Sequence, residues 1–212
     1  MNLEKKKKKA KKIIEIFEEI YPEAKCSLDY TNPLELLIAT QLAAQCTDER
    51  VNIVTKSLFK KYKNARDFAG ASLEQLEQDI KSTGFFRNKA KNLKATCVMI
   101  LKEFNGNVPA NMNDLLKLPG VGRKTANVVL GSVFNIPGIV VDTHAGRLSR
   151  RIGLTVQEDP VKVEQDLMEV IPRQKWSKFC HQLVSHGRRI CNARKPLCEI
   201  CEIKEFCDYG KI

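Results

Sequence analysis

The chain has 212 residues, 43% of them hydrophobic, so it can build a real core and is not a disordered chain. It carries 36 Lys and Arg against 25 Asp and Glu, a formal net charge of +11, which favours a polyanionic partner. No apolar run is long enough to span a bilayer. The basic start MNLEKKKKKAKK is not followed by a signal-peptide core, so a cytoplasmic protein with no membrane partner is expected.

Helical spacing runs through almost the whole chain. Ile13, Ile14, Phe17 and Ile20 share one helix face, closed off by Pro22. The lysine run before them is either a solvated, frayed helix start or a set of phosphate contacts. Residues 34–46, LELLIATQLAAQC, are apolar on nearly every side and predict a buried helix. Ser72 and Gln75 form a capping-box pattern ahead of Leu73, Leu76 and Ile80. Ala90, Leu93, Cys97, Leu101 and Phe104 make the next stripe. Residues 113–118 predict a short helix stopped by Pro119, and residues 126–134 a second one. The run Ile139-Val140-Val141 is too short to build a sheet. Asp159–Pro160 starts a helix carried on by Val163, Leu167 and Val170, and Trp176, Phe179, Cys180 and Leu183 form the last long stripe. The expected class is all-α.

The stretch LPGVGRKTA, residues 118–126, invites a nucleotide-binding reading, which fails. A phosphate loop ending in Lys124-Thr125 needs glycine at 118 and 123, which hold Leu118 and Arg123. The dinucleotide pattern fails as well, because its third glycine would fall on Thr125. What remains is a helix–hairpin–helix. Gly120 and Gly122, with Val121 between them and Arg123 after, let backbone N–H groups come close to a DNA phosphate. An ordinary helical corner also uses Gly and Pro; the two cations after Gly122 favour the DNA backbone.

Lys124 then sits near the start of a helix, where the dipole does not favour a cation. It is either a phosphate contact or, as a neutral amine, a nucleophile toward a sugar carbon that ends in a Schiff base. Asp142, in VVDTH, reads as a helix N-cap, and a partly buried carboxylate near cations is also a candidate acid, base or charge stabiliser. His144 reads as a surface histidine, with a supporting role at the same site as the alternative.

Of eight cysteines, Cys26, Cys46, Cys97 and Cys180 lie in apolar segments and read as small buried hydrophobes. The other four, Cys191, Cys198, Cys201 and Cys207, are spaced C-x6-C-x2-C-x5-C and imply a metal centre. Ligand type leaves zinc and iron–sulfur open; the single C-x2-C unit leans toward a cluster. Arg194 and Lys195 lie in the first loop, where the centre would hold them against a phosphate backbone.

Taken in order, LPGVGRKTANVV, VDTH and the cysteine spacing resemble the endonuclease III family, base-excision repair enzymes of the iron–sulfur helix–hairpin–helix DNA glycosylase and AP lyase superfamily. The likeness runs from LLIATQLAAQCTD to Cys207. It implies two helical domains with a DNA-binding cleft between them: a helical barrel over residues 26–136, and a second domain from residues 1–25 and 137–212 that carries a 4Fe–4S cluster on the four cysteines. It implies a monomer acting on double-stranded DNA with a damaged base or an abasic site, at the nucleoid. The substrate would be an oxidised or saturated pyrimidine, removed by an N-glycosylase that also cuts the strand by β-elimination. Lys124 matches the family's nucleophile and Asp142 its essential carboxylate. Gln45 matches a glutamine that fills the gap left by a flipped base, or is simply a polar residue at a helix end. Phe85 falls where the family often has a leucine wedge, and is either a wedge or part of the core. Adenine-specific and mismatch-thymine relatives typically lack a lysine at the position of Lys124, which disfavours both.

Overall fold

A computed structural model describes residues 2–211, so Met1 and Ile212, the outer ends of the expected second domain, lie outside the described residues. Eleven α-helices lie among the described residues: α1 (Leu3–Ile20), α2 (Pro33–Leu42), α3 (Asp48–Lys61), α4 (Ala65–Gly70), α5 (Leu73–Asp79), α6 (Phe86–Glu103), α7 (Met112–Leu115), α8 (Arg123–Val133), α9 (Thr143–Ile152), α10 (Pro160–Val170) and α11 (Trp176–Arg189). Short 3-10 turns make up the remaining regular structure, and no strand occurs among these residues. No helix of the described residues is long and apolar enough to cross a membrane.

The chain divides into two compact units, Ser27–Ile136 and the pair of segments Met1–Cys26 and Pro137–Ile212. In the first, α2 is buried on nearly every side through Leu36, Leu37, Ile38, Ala39 and Leu42. It packs on α3, α6 and α8, while α4 and α5 cover α6. The helix expected to reach residue 46 stops at Leu42. Residues 43–46 form a turn in which Gln45 takes a left-handed backbone, φ 53°. Ser72 Oγ accepts from Gln75 N–H as the pattern predicted, but the reciprocal half of the box is missing: the Gln75 side chain donates to Asp79 instead. On α6, Ile100 takes the buried place expected of Leu101 and Phe104, which are half-buried.

In the second unit, Phe17 of α1 is fully buried against Tyr21, Phe179 and His186, with ring centroids 5.7, 6.0 and 5.1 Å away. Leu148, Leu167 and Leu183 from α9, α10 and α11 complete this core. The lysine run is helical from Leu3, because Asn2 Oδ1 accepts the Lys5 N–H. Lys9 turns inward to the Ile152 carbonyl, 2.8 Å, and to Asp208. That ammonium is a strut for the C-terminal segment, not a frayed solvated charge. Cys97 and Cys180 are buried as expected and burial pushes both thiols up to about 12, whereas Cys26 and Cys46 are only half-buried.

Candidate nucleic-acid interface and cysteine pocket

The hairpin between α7 and α8 is held from behind. The Thr96 hydroxyl and Gln41 Nε2 both donate to the Pro119 carbonyl, at 2.8 and 3.4 Å, and Gln41 Nε2 also reaches Thr96 Oγ1 at 3.2 Å. Gln41 and Thr96 are buried and the Pro119 carbonyl is partly so, and the hairpin is located by α2 and α6 rather than by its own turn alone.

The two glycines sit in different surroundings. Gly120 has φ +75°, and a Cβ on it would lie 2.7 Å from Asn92 Nδ2, so both backbone and packing forbid a side chain. Gly122 has φ −95° and open space where a Cβ would point. No packing among the described residues requires glycine at 122. Val121, expected among the DNA-binding residues, turns its side chain inward at 7% exposure and spends its N–H on the Leu118 carbonyl, 3.1 Å. It anchors the turn.

Helix α8 begins at Arg123, a full turn earlier than the apolar pattern suggests, because Arg123, Lys124 and Thr125 fill its exposed first turn. That start has no side-chain cap and no acidic residue in its first turn. Four exposed residues of this unit, Gln45, Phe85, Asn105 and Asn135, adopt left-handed backbone. Asparagine tolerates that conformation, whereas Gln45 and Phe85, at φ 53° and 48°, are of types that rarely hold it without a reason. Phe85 is 64% exposed, which removes the core alternative for it.

In the other unit, Asp142 caps α9: its Oδ1 accepts the Ala145 N–H at 2.7 Å. The carboxylate is half-buried, and its charge acts on two imidazoles, His144 and His181 of α11, opposing the burial that lowers both. His144 is no surface histidine. Its ring packs on Gly187 so closely that a Cβ there would lie 2.6 Å from Nδ1, and the Arg147 guanidinium lies 3.2 Å from the same atom. The cause is the tight approach of α9 to α11, which sequence does not display. His181 was missed by the sequence reading for the same reason.

Cys191, Cys198, Cys201 and Cys207 line one pocket, together with Leu148, Ile152, His186 and Tyr209. Arg151 of α9 serves as its frame, donating to Cys191 Sγ at 3.2 Å and to the carbonyls of Asn192 and Ala193, both at 2.7 Å, with Tyr209 stacked 4.6 Å from its guanidinium. Arg147 adds a bond to the Cys191 carbonyl, 2.8 Å. His186 is held by the Tyr21 hydroxyl at 3.0 Å and lies 3.4 Å from Cys201 Sγ; burial brings it down to about 4. Burial likewise pushes the Cys201 thiol up to about 11. Among the described residues no group of three or more His, Cys, Asp or Glu side chains is arranged to hold a metal ion. Arg194 and Lys195 are exposed on the loop between the first two cysteines.

Comparison with known proteins agrees on one family. Residues 38–173 match the model of the HhH-GPD superfamily of base excision DNA repair proteins. Endonuclease III of Synechocystis sp. is 52% identical over 95% of this chain and 93% of its own length, and endonuclease III of Bacillus subtilis is 47% identical over 91% and 89%. A solved structure of a trapped endonuclease III–DNA covalent intermediate superposes with a TM-score of 0.92 at 45% identity, covering 97% of each chain.

Proposed function

The chain belongs to the endonuclease III family, within the HhH-GPD superfamily of base excision DNA repair proteins, and from that premise we propose that Lys124 and Asp142 carry its reaction. The protein is a base-excision repair enzyme, a DNA N-glycosylase for oxidised or saturated pyrimidines in duplex DNA that also cleaves the strand as an AP lyase. The observation that carries the assignment of residues is the start of α8: an exposed lysine in the first turn of an uncapped helix, next to a glycine bare toward solvent.

In the proposed reaction the damaged base is flipped out, at a cost of about a few kcal/mol that is lowest for a poorly stacked base. Gln45 and Phe85 fill the gap. The hairpin at Gly120–Gly122 holds the phosphate backbone, with Arg123 and the exposed Arg194 and Lys195 adding phosphate contacts. The neutral amine of Lys124 attacks C1′ as the bond to the base breaks and the base leaves. The amine gives up its proton, and the sugar ring opens to a Schiff base between Nζ and C1′. That imine makes the C2′ proton acidic. Its loss drives out the 3′ phosphate, which cuts the strand 3′ to the lesion. Asp142 stabilises the positive charge that develops on the sugar. His144 and His181 lie near enough for that carboxylate's charge to act on them.

We assign Cys191, Cys198, Cys201 and Cys207 to a 4Fe–4S cluster. The donor set fits one: four cysteine thiols, the ligand type such a cluster takes, line a single pocket. Such a group supplies structural cross-linking, and what this chain adds is a guanidinium frame from Arg147 and Arg151 that positions the loop of Arg194 and Lys195. Iron and acid-labile sulfide content of purified protein checks this assignment. One chain acts on one lesion in this scheme, in the cytoplasm where the DNA lies.

A single-turnover nicking assay on duplex DNA with one thymine glycol tests the reading. Strand cutting 3′ to the lesion and none on the undamaged duplex is expected. Tight binding without cutting would leave a DNA-binding module instead.

A further inference from the structure

Lys89 is buried, at 7% exposure, in an otherwise apolar part of the Ser27–Ile136 unit. A buried ammonium is costly unless its protons are used. Here Nζ donates to the Leu42 carbonyl at 2.8 Å and to the Thr83 carbonyl at 2.7 Å. Both acceptors are the last residues of helical segments, α2 and the 3-10 turn Lys81–Thr83. Terminal carbonyls have no partner within their own helix, and a cation there is favoured by the helix dipole. One side chain therefore caps two helix ends.

Each capped end leads into an exposed residue. Three residues past Leu42 comes Gln45, and two past Thr83 comes Phe85, both exposed and both left-handed. The Lys89 backbone N–H also donates to the Phe85 carbonyl, at 3.1 Å. We infer that Lys89 is a positioning residue for base flipping, setting Gln45 and Phe85 at the exposed face by tying together the two segments that lead into them. The inference rests on the reading of Gln45 and Phe85 as the residues that fill the gap in the stack. Burial holds this amine below the ordinary lysine value, and its two carbonyl partners offset the cost of burial.

The test is a mutant cycle read by single-turnover excision on a thymine glycol duplex, by cutting of a pre-formed abasic duplex, and by melting temperature. The variants are Lys89→Met, the pair Gln45→Ala with Phe85→Ala, and the triple. Expected are a drop in excision of about tenfold or more for Lys89→Met, a smaller loss on the abasic duplex, and a triple variant no slower than the pair within about twofold. The melting temperature falls by the same amount when Lys89 is changed in either background. A triple variant that is slower than the pair by the full Lys89 factor overturns the inference and makes Lys89 a general stabiliser. So does Lys89→Met excising like wild type. A pair that excises like wild type sinks the gap-filling reading itself and takes the inference with it. Where Lys89→Met does not fold, Lys89→Gln, which is one bond shorter and cannot reach both carbonyls, takes its place in the same cycle with the same outcomes.

Discussion

Helices α8 and α9 begin in different ways. The start of α9 is capped, by Asp142 through the Ala145 N–H, and Arg150 and Arg151 lie in the last turn, although its first turn also lacks an acid. The start of α8 has no side-chain cap, no acid in the first turn and two cations, Arg123 and Lys124, where the dipole disfavours positive charge. Helices α6 and α11 also start without a side-chain cap or an acid, so what sets α8 apart is an exposed lysine beside a glycine with open space around it. At α9 one carboxylate satisfies the helix whether or not it also serves a reaction.

The largest effect that sharpens the contrast comes from separating cap from charge at Asp142. Asn caps as well as Asp. Asp142→Asn is therefore expected to keep its melting temperature while excision falls by about a hundredfold to a thousandfold. Asp142→Ala should lose a similar factor of activity and a further ~1 kcal/mol of stability. Thermal melts beside single-turnover rates decide it; an active Asp142→Asn protein would reduce Asp142 to a cap.

The two glycines before α8 offer the next comparison. Gly120→Ala is expected to cost about 1–3 kcal/mol, from its left-handed backbone and the contact with Asn92. Gly122→Ala should leave stability within about 0.5 kcal/mol. It should weaken DNA binding by about tenfold, because a methyl group then stands between backbone and phosphate. Titration of labelled duplex, with urea melts alongside, reads both. Equal behaviour of the two variants would break the proposal that the hairpin meets phosphate at Gly122.

The smallest effect is on pH. Burial holds His144 and His181 below the ordinary histidine value, so the folded chain takes up these protons less readily than the unfolded one. The unfolded state binds more protons below about pH 6.5, and stability is full above that and falls as pH drops through it toward the lower folded values. Melts at pH 7.5 and 5.5 should show the loss, and His181→Gln should reduce it.

How much of this was legible in the sequence depends on how local each feature is. The helices were readable from apolar spacing, and the cap at Asp142 from residue type, because both depend on neighbours within a turn. The helix ends at Leu42 and Arg123 were misplaced. The apolar pattern continues past Leu42 although the chain turns left-handed at Gln45, and it starts late at α8 because the first turn faces solvent. The cysteine spacing pointed to a shared site, and the four cysteines line one pocket. Its frame did not show, because Arg147 and Arg151 bond to carbonyls some forty residues away. Lys89, Gln41 and Thr96 escaped for the same reason: each is an ordinary helical residue until folding brings it to another segment's carbonyl.

The most direct test of the central claim, that the exposed lysine in the first turn of α8 is the nucleophile, is borohydride trapping on a thymine glycol duplex with wild type and Lys124→Ala in parallel. A covalent protein–DNA band with wild type, absent from a Lys124→Ala protein that melts at the same temperature or slightly higher, is the predicted result. A band of equal strength from Lys124→Ala, or none from folded wild type on this duplex or one with an abasic site, would contradict it.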